Sequence, residues 1–161
     1  MNLNYLSIIA FSSGAAISIQ AAMNAQLGSL LKNPLLAACV AFSSSLFFTL
    51  LAVMVYTKEY PSIDIVRSVP IYLWFSGGIL SAFGISMFYY LIPKMGIGPM
   101  MSFALTGQLI VAVVAGHFGW FNLPIKPLTL GKLVGAIALI IGVVLINSEQ
   151  DIAKFRYKLN F

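Results

Sequence analysis

Four stretches of the chain, residues 1–31, 33–57, 68–93 and 95–125, contain no charged side chain, and a fifth, residues 127–148, is interrupted only by Lys132 near its start. A helix rises about 1.5 Å per residue, so roughly 20 apolar residues cross a hydrocarbon core about 30 Å thick. Each stretch reaches that length. The pattern predicts an all-α integral membrane protein with five transmembrane helices, at about 5–27, 35–56, 71–92, 99–119 and 128–146. Met1 to Ala22 is apolar enough to suggest a secretory signal, but it has no basic start and its apolar run is too long, so it is read as the first span.

The connections are short. Lys32-Asn33-Pro34 closes the first hairpin, and Pro93-Lys94-Met95-Gly96 precedes Pro99, a first-turn proline of the fourth span. Short connections make neighbouring helices antiparallel and packed together; only Lys58 to Pro70 and Gly119 to Pro127 are longer. Tyr56, Trp74, Trp120 and Phe121 fall where an interfacial aromatic belt anchors a span. Residues 148–161 form a basic tail. There Ser148 and Asp151 resemble a capping box, and Ile152, Phe155 and Leu159 recur at helical spacing between Lys154, Arg156 and Lys158, which suits either a short interfacial helix or a frayed end.

Within the apolar spans the polar positions stand out. Gln20 and Asn24 are four apart, hence on one helical face, and Ser13 lies seven before Gln20 on nearly the same stripe. Gln108 is the corresponding amide of the fourth span, with Ser102 and Thr106 on adjoining turns, and Ser43, Ser44 and Ser45 mark the second. Hydrocarbon cannot replace the hydrogen bonds an amide loses there, so these groups are expected to face protein or a wet cavity. Two readings follow. Gln20, Asn24 and Gln108, with Ser13 and Thr106, line a substrate cavity, or they only bond helix to helix at about 0.6 kcal/mol a pair. Gly77, Gly78, Ser81, Ala82 and Gly84 make a smooth flank on the third span, and Gly131 with Gly135 forms a small-xxx-small pair on the fifth.

Charge changes the picture less than its sign suggests. The chain is 60% apolar, 8% charged and carries a formal +5, but its basic residues are scattered through loops and tail rather than gathered on a water-facing surface. A nucleic-acid partner is therefore not expected, and the bases belong beside lipid headgroups. Five spans put the termini on opposite sides, with Lys58, Arg67, Lys126 and Lys132 on the N-terminal side and Lys32, Lys94, Lys154, Arg156 and Lys158 on the other. That balance does not select an orientation. Either the tail places the C-terminus in the cytoplasm, or the chain inserts both ways and pairs with an inverted copy, which would supply the opposed half that many transporters build into one chain.

No catalytic constellation is visible. The chain has one His and one Cys, and its four acidic residues, Glu59, Asp64, Glu149 and Asp151, lie in the long loop and the tail. An enzyme, a metal site and a cofactor are not expected. Cys39 is read as a small packing residue and His117 as an interfacial hydrogen-bonding group.

Several segments then carry a resemblance. The ending PLTLGKLVGAIALIIGVVLIN, residues 127–147, resembles the last helix of a repeat in the drug/metabolite transporter superfamily. With QAAMNAQLG, AFSSSLFFTLL, GGILSAFG and TGQLIVAVVAGHFGWF in that order, nearly the whole chain to Asn147 is similar to the YdcZ-like five-span family of that superfamily, related to EamA-type and small multidrug resistance transporters. The resemblance implies a bacterial inner-membrane, multi-pass protein of a family that occurs as opposite-orientation pairs, fused ten-span forms or single dual-topology chains, and places the expected dimer contact on the final helix at Gly135, Leu139, Gly142 and Val143. Two departures, Gly116 where the family often has an acid and a first span without glutamate, argue against proton antiport of the small multidrug type. The expected function is transport of a small polar or amphipathic solute by alternating access across an antiparallel homodimer; the alternative is a non-transporting scaffold or one subunit of a hetero-oligomer.

Overall fold

The computed structural model describes residues 3–159, with side chains for residues 4–148. It is all-α: α1 Leu3–Leu30, α2 Pro34–Tyr56, α3 Ile63–Ser68, α4 Ile71–Met95, α5 Ile97–Phe118, a 3₁₀ turn Trp120–Asn122, and α6 Leu130–Leu159. All but α3 are long and apolar enough to cross a membrane. The expected amphipathic face of Ile152, Phe155 and Leu159 lies outside the residues whose side chains are described. The helices form two compact units, one ending at Met95 and one beginning at Gly96.

In the first unit the turn between α1 and α2 is fully specified locally. Asn33 N–H donates to Gly28 O at 2.9 Å and Lys32 N–H to Ser29 O at 3.2 Å, with Lys32 at φ 53° between them. This pairing is the Schellman closure, which satisfies carbonyls the helix end would leave open and places its last residue in the left-handed region. Asn33 then caps α2: its Oδ1 accepts from Leu35 N at 2.9 Å and Leu36 N at 3.3 Å, and Pro34 opens the helix. Such a cap contributes about 1 kcal/mol. Gly28 lets the two helices meet, since a Cβ there would sit 3.3 Å from Pro34 Cα and 3.4 Å from Ala37 Cβ.

From that corner α1, α2 and α4 pack along small residues. Ala21 and Ala25 of α1, Ala37, Ala38 and Ala41 of α2, and Ser86, Tyr89 and Ile92 of α4 are buried. Their spacing of three and four residues keeps each set on one helical face. Without a hydrophobic force between helices in lipid, close approach over alanine and glycine supplies the contact. Every buried residue of the unit lies in the half next to Lys32; Asn4–Ile17, Phe42–Tyr56 and Ile71–Phe83 have none. The flank expected at Gly77, Gly78 and Gly84 meets nothing within 4 Å at any of the three glycines. The Lys58–Pro70 loop holds α3, capped by Ser62, with Asp64 in its first turn and Arg67 in its last, both favourable to the helix dipole.

The second unit is the α5–α6 hairpin. Gly119 ends α5 in the left-handed conformation, φ 63°. The loop then turns back so that Lys126 N–H donates to Gly116 O at 2.7 Å. Lys132 Nζ donates to Lys126 O at 3.1 Å and Pro127 O at 2.8 Å, tying the loop to the first turns of α6.

Candidate solute-binding site

Gln20 and Asn24 project from the same stripe of α1, as their spacing requires. Both amides converge on one atom: Gln20 Nε2 donates to Tyr89 Oη at 3.3 Å and Asn24 Nδ2 donates to it at 3.1 Å. Tyr89 is 1% exposed. Its ring is seated on Ala37, Ala38 and Ala41, with Leu27, Ile85 and Phe88 around it, so the alanine face of α2 fixes where the hydroxyl stands. A phenol oxygen has two lone pairs and one proton. With both lone pairs occupied by amide N–H groups, the proton remains for donation, and the carbonyl oxygens of Gln20 and Asn24 remain as acceptors.

Beside this triad a hollow of about 410 Å³ is lined by Ala16, Ile19, Gln20, Met23 and Asn24. Its lining residues all belong to α1, so it is an open groove along one helix face, apolar apart from the amides. The residues lining it are all uncharged. The chemistry is that of a neutral hydrogen-bonding cradle, able both to donate and to accept.

The remaining candidates are placed differently. Ser13 Oγ donates to Ile9 O at 2.8 Å and Thr106 Oγ1 to Ser102 O at 2.8 Å, so both hydroxyls are satisfied by their own helices. Ser44 likewise donates to Ala41 O at 3.0 Å. Gln108 is exposed on α5, in the other unit. Of the residues expected to mediate dimerisation, Gly135 and Gly142 face open space, Leu139 is half-buried, and Val143 is 5% exposed, its side chain already covered. His117 Nδ1 accepts from Leu128 N–H at 3.1 Å, anchoring the loop to the end of α5. Cys39 is exposed and lines a hollow of about 320 Å³ between α2 and α4.

Two participants were not singled out from sequence. Tyr89 carries the clearest signal in hindsight, because a tyrosine inside an apolar span needs a partner for its hydroxyl and the only amides of the first three spans are on α1. Asn147 is the other. Its Nδ2 donates to Ser102 Oγ at 3.1 Å and to Val143 O at 2.6 Å, bonding α6 to α5.

Comparison with known proteins decides the family. Residues 5–145 match the family described as "Putative inner membrane exporter, YdcZ". The chain belongs to this YdcZ family. At that level it is a multi-pass inner-membrane transporter, a class distinct from enzymes, with five helices long and apolar enough to span among the described residues. No curated protein and no solved structure matches the chain. Within the YdcZ match, residues 5–145 include Gln20, Asn24 and Tyr89 together with Gln108.

Proposed function

We propose that the chain moves a small polar or amphipathic solute by alternating access across an antiparallel homodimer, with Gln20, Asn24 and Tyr89 holding the solute's polar group. The convergence of two amides on one buried hydroxyl, beside a hollow of about 410 Å³, carries this reading. An uncharged cradle of donors and acceptors favours a neutral or zwitterionic solute over a bare cation, whose desolvation no carboxylate here would offset. In this reading Ser13 extends the polar stripe of α1, its hydroxyl exchanging a helix carbonyl for the solute; Gln108 and Thr106, on α5, are proposed solute contacts of the second unit. The resemblance of residues 127–147 to drug/metabolite transporters supports two inverted halves around a midplane site.

Flux of a candidate solute into proteoliposomes tests the site. Gln20→Ala with Asn24→Ala is expected to lower flux per folded molecule by roughly a hundredfold, since two hydrogen bonds to a desolvated solute are each worth about 1.4 kcal/mol or more. Flux equal to wild type sinks the assignment.

The mutual pairing of the amides with Tyr89 also suits the second reading, a non-transporting scaffold or hetero-oligomer subunit in which the triad only joins α1 to α4. Orientation separates the assemblies: reporters fused to the C-terminus are expected to be active on both sides of the membrane. A single orientation removes the antiparallel homodimer. The open glycines Gly135 and Gly142, with half-buried Leu139, are the proposed contact on α6; Val143, expected there too, is already covered within the chain.

A further inference from the structure

At the Lys32 end of the first unit another hollow, of about 260 Å³, borders Tyr89. Lys32, from the α1–α2 turn, and Lys94, from the last turn of α4, both line it, together with Ser29, Tyr89 and Tyr90. The Lys94 ammonium stands 3.6 Å from the centroid of the Tyr90 ring, a cation–π contact that holds it at the wall. Two like charges share one small cavity. The acids of this unit, Glu59 and Asp64, follow the far end of α2, a 23-residue helix about 34 Å long, and do not reach either lysine. Within the first unit no carboxylate offsets the two ammonium groups, so both would attract an anion bound in the hollow.

Lys32 adds a backbone observation. It occupies the left-handed position, φ 53°, that closes α1 and that glycine fills most easily. A lysine there places a charge at the rim at the cost of backbone strain. Tyr89 connects the hollow to the amide triad, since its ring lines the one and its hydroxyl receives Gln20 and Asn24.

We infer that the Lys32–Lys94 hollow binds an oxyanion of the phosphate class, either a phospholipid headgroup or the acidic group of a solute in transit to the amide triad. Its volume, below the roughly 300–1,000 Å³ of whole small-molecule sites, suits a headgroup-sized moiety. The solute alternative rests on the transport reading above; anion binding itself does not.

The test uses purified full-length protein in two arms. Native mass spectrometry measures binding of phosphatidylglycerol against phosphatidylcholine, and equilibrium dialysis in phosphatidylcholine nanodiscs measures binding of inorganic phosphate. Lys32→Gly and Lys94→Gln are each expected to lower the affinity of the bound anion about fivefold, the effect of losing one lysine–phosphate attraction near a membrane surface. Lys58→Gln, at the other end of α2, is expected to change it less than about twofold, as a charge beyond the screening length contributes little. Selective binding of phosphatidylglycerol alone assigns the hollow to a lipid headgroup; binding of inorganic phosphate as well assigns it to a soluble phosphate. Lys32→Gly relieves the left-handed strain, so a folding defect is not expected of it, and Lys94→Gln provides a variant free of backbone change. Absence of binding in both arms, or an equal loss in Lys58→Gln, overturns the site. Because the readout is binding, that result leaves the amide triad to its own flux test.

Discussion

Tyr89→Ala is expected to cost about 2–3 kcal/mol of stability, and Tyr89→Phe only about 1 kcal/mol. Truncating a buried aromatic in a water-soluble core costs about 3–5 kcal/mol, part of it the transfer of the ring from water. Lipid is as apolar as the ring, so here the transfer part shrinks and the lost dispersion contacts with the α2 alanines dominate. Tyr89→Phe keeps those contacts and removes only the oxygen that accepts from Gln20 and Asn24. Gln20 is exposed and Asn24 half-buried at the edge of the hollow, where water can replace the hydroxyl, which holds the penalty near the low end. Steric trapping in bicelles measures both. Equal losses for the two variants would mean that the ring is not seated on α2 as described. Flux measured on the folded fraction of Tyr89→Phe then separates binding from bracing: a fall of about tenfold assigns the hydroxyl to the solute, and unchanged flux assigns it to the helices.

The difference between these two variants reflects what the chain discloses before folding. Five spans were legible because charge-free runs of that length admit almost no other structure in lipid, where a helix is the one way a single segment pairs its own backbone. That Gln20 and Asn24 share one face was legible too, from their four-residue spacing. Their partner was not. Tyr89 sits beyond the small-residue flank of its span, and no periodicity distinguishes the tyrosine that packs on alanines from its neighbour Tyr90, which is exposed and bears Lys94 on its ring. The contact inside the first unit was hidden for a related reason. Glycine-rich segments such as residues 77–84 attract attention as close-contact signals, whereas α1 and α2 meet over Ala21, Ala25, Ala37, Ala38 and Ala41, and alanine is too common in spans to mark a contact by itself. The serines taught the same lesson in reverse. Their hydroxyls are absorbed by carbonyls three or four residues back, a bond the helix offers to any serine or threonine regardless of its surroundings.

Alanines and amides thus divide the work of the first unit: the alanines set the distance between helices, and the triad sets their register. A flat alanine surface permits sliding along the helix axis, because each position on it resembles the next. Two donors aimed at one hydroxyl do not, since a displacement of one residue, about 1.5 Å, breaks bonds of 3.1 and 3.3 Å. The proposed rocking motion would need such a joint, firm in one register and releasable in another. The half of the unit away from Lys32 has no buried residue, so the joint lies wholly at the Lys32 end.

The hairpin of the second unit has a different weak point. Gly119→Val is expected to destabilise it by about 3 kcal/mol, from left-handed strain of about 1–2 kcal/mol and overpacking of about 1–3 kcal/mol. Gly119 stands at φ 63°, and a Cβ added there would lie 2.8 Å from Ile125 Cγ1. The loop has little freedom to yield, because Phe121 and Asn122 already occupy the left-handed region at φ 59° and 58°. It is also pinned on both sides, by Lys126 N–H on Gly116 O, by Leu128 N–H on His117 Nδ1, and by Lys132 Nζ on two loop carbonyls. Shifting Ile125 to admit the valine therefore strains bonds on either flank. Gly14→Ala is the matched control: it lies within α1, a Cβ there meets nothing within 4 Å, and a helical glycine-to-alanine change is worth up to about 1 kcal/mol in the stabilising direction. Thermal unfolding in detergent is expected to move in opposite directions for the two variants. A Gly119→Val protein as stable as wild type would show that the turn can be rebuilt without its left-handed residue, and that the three anchors do not hold the loop in place.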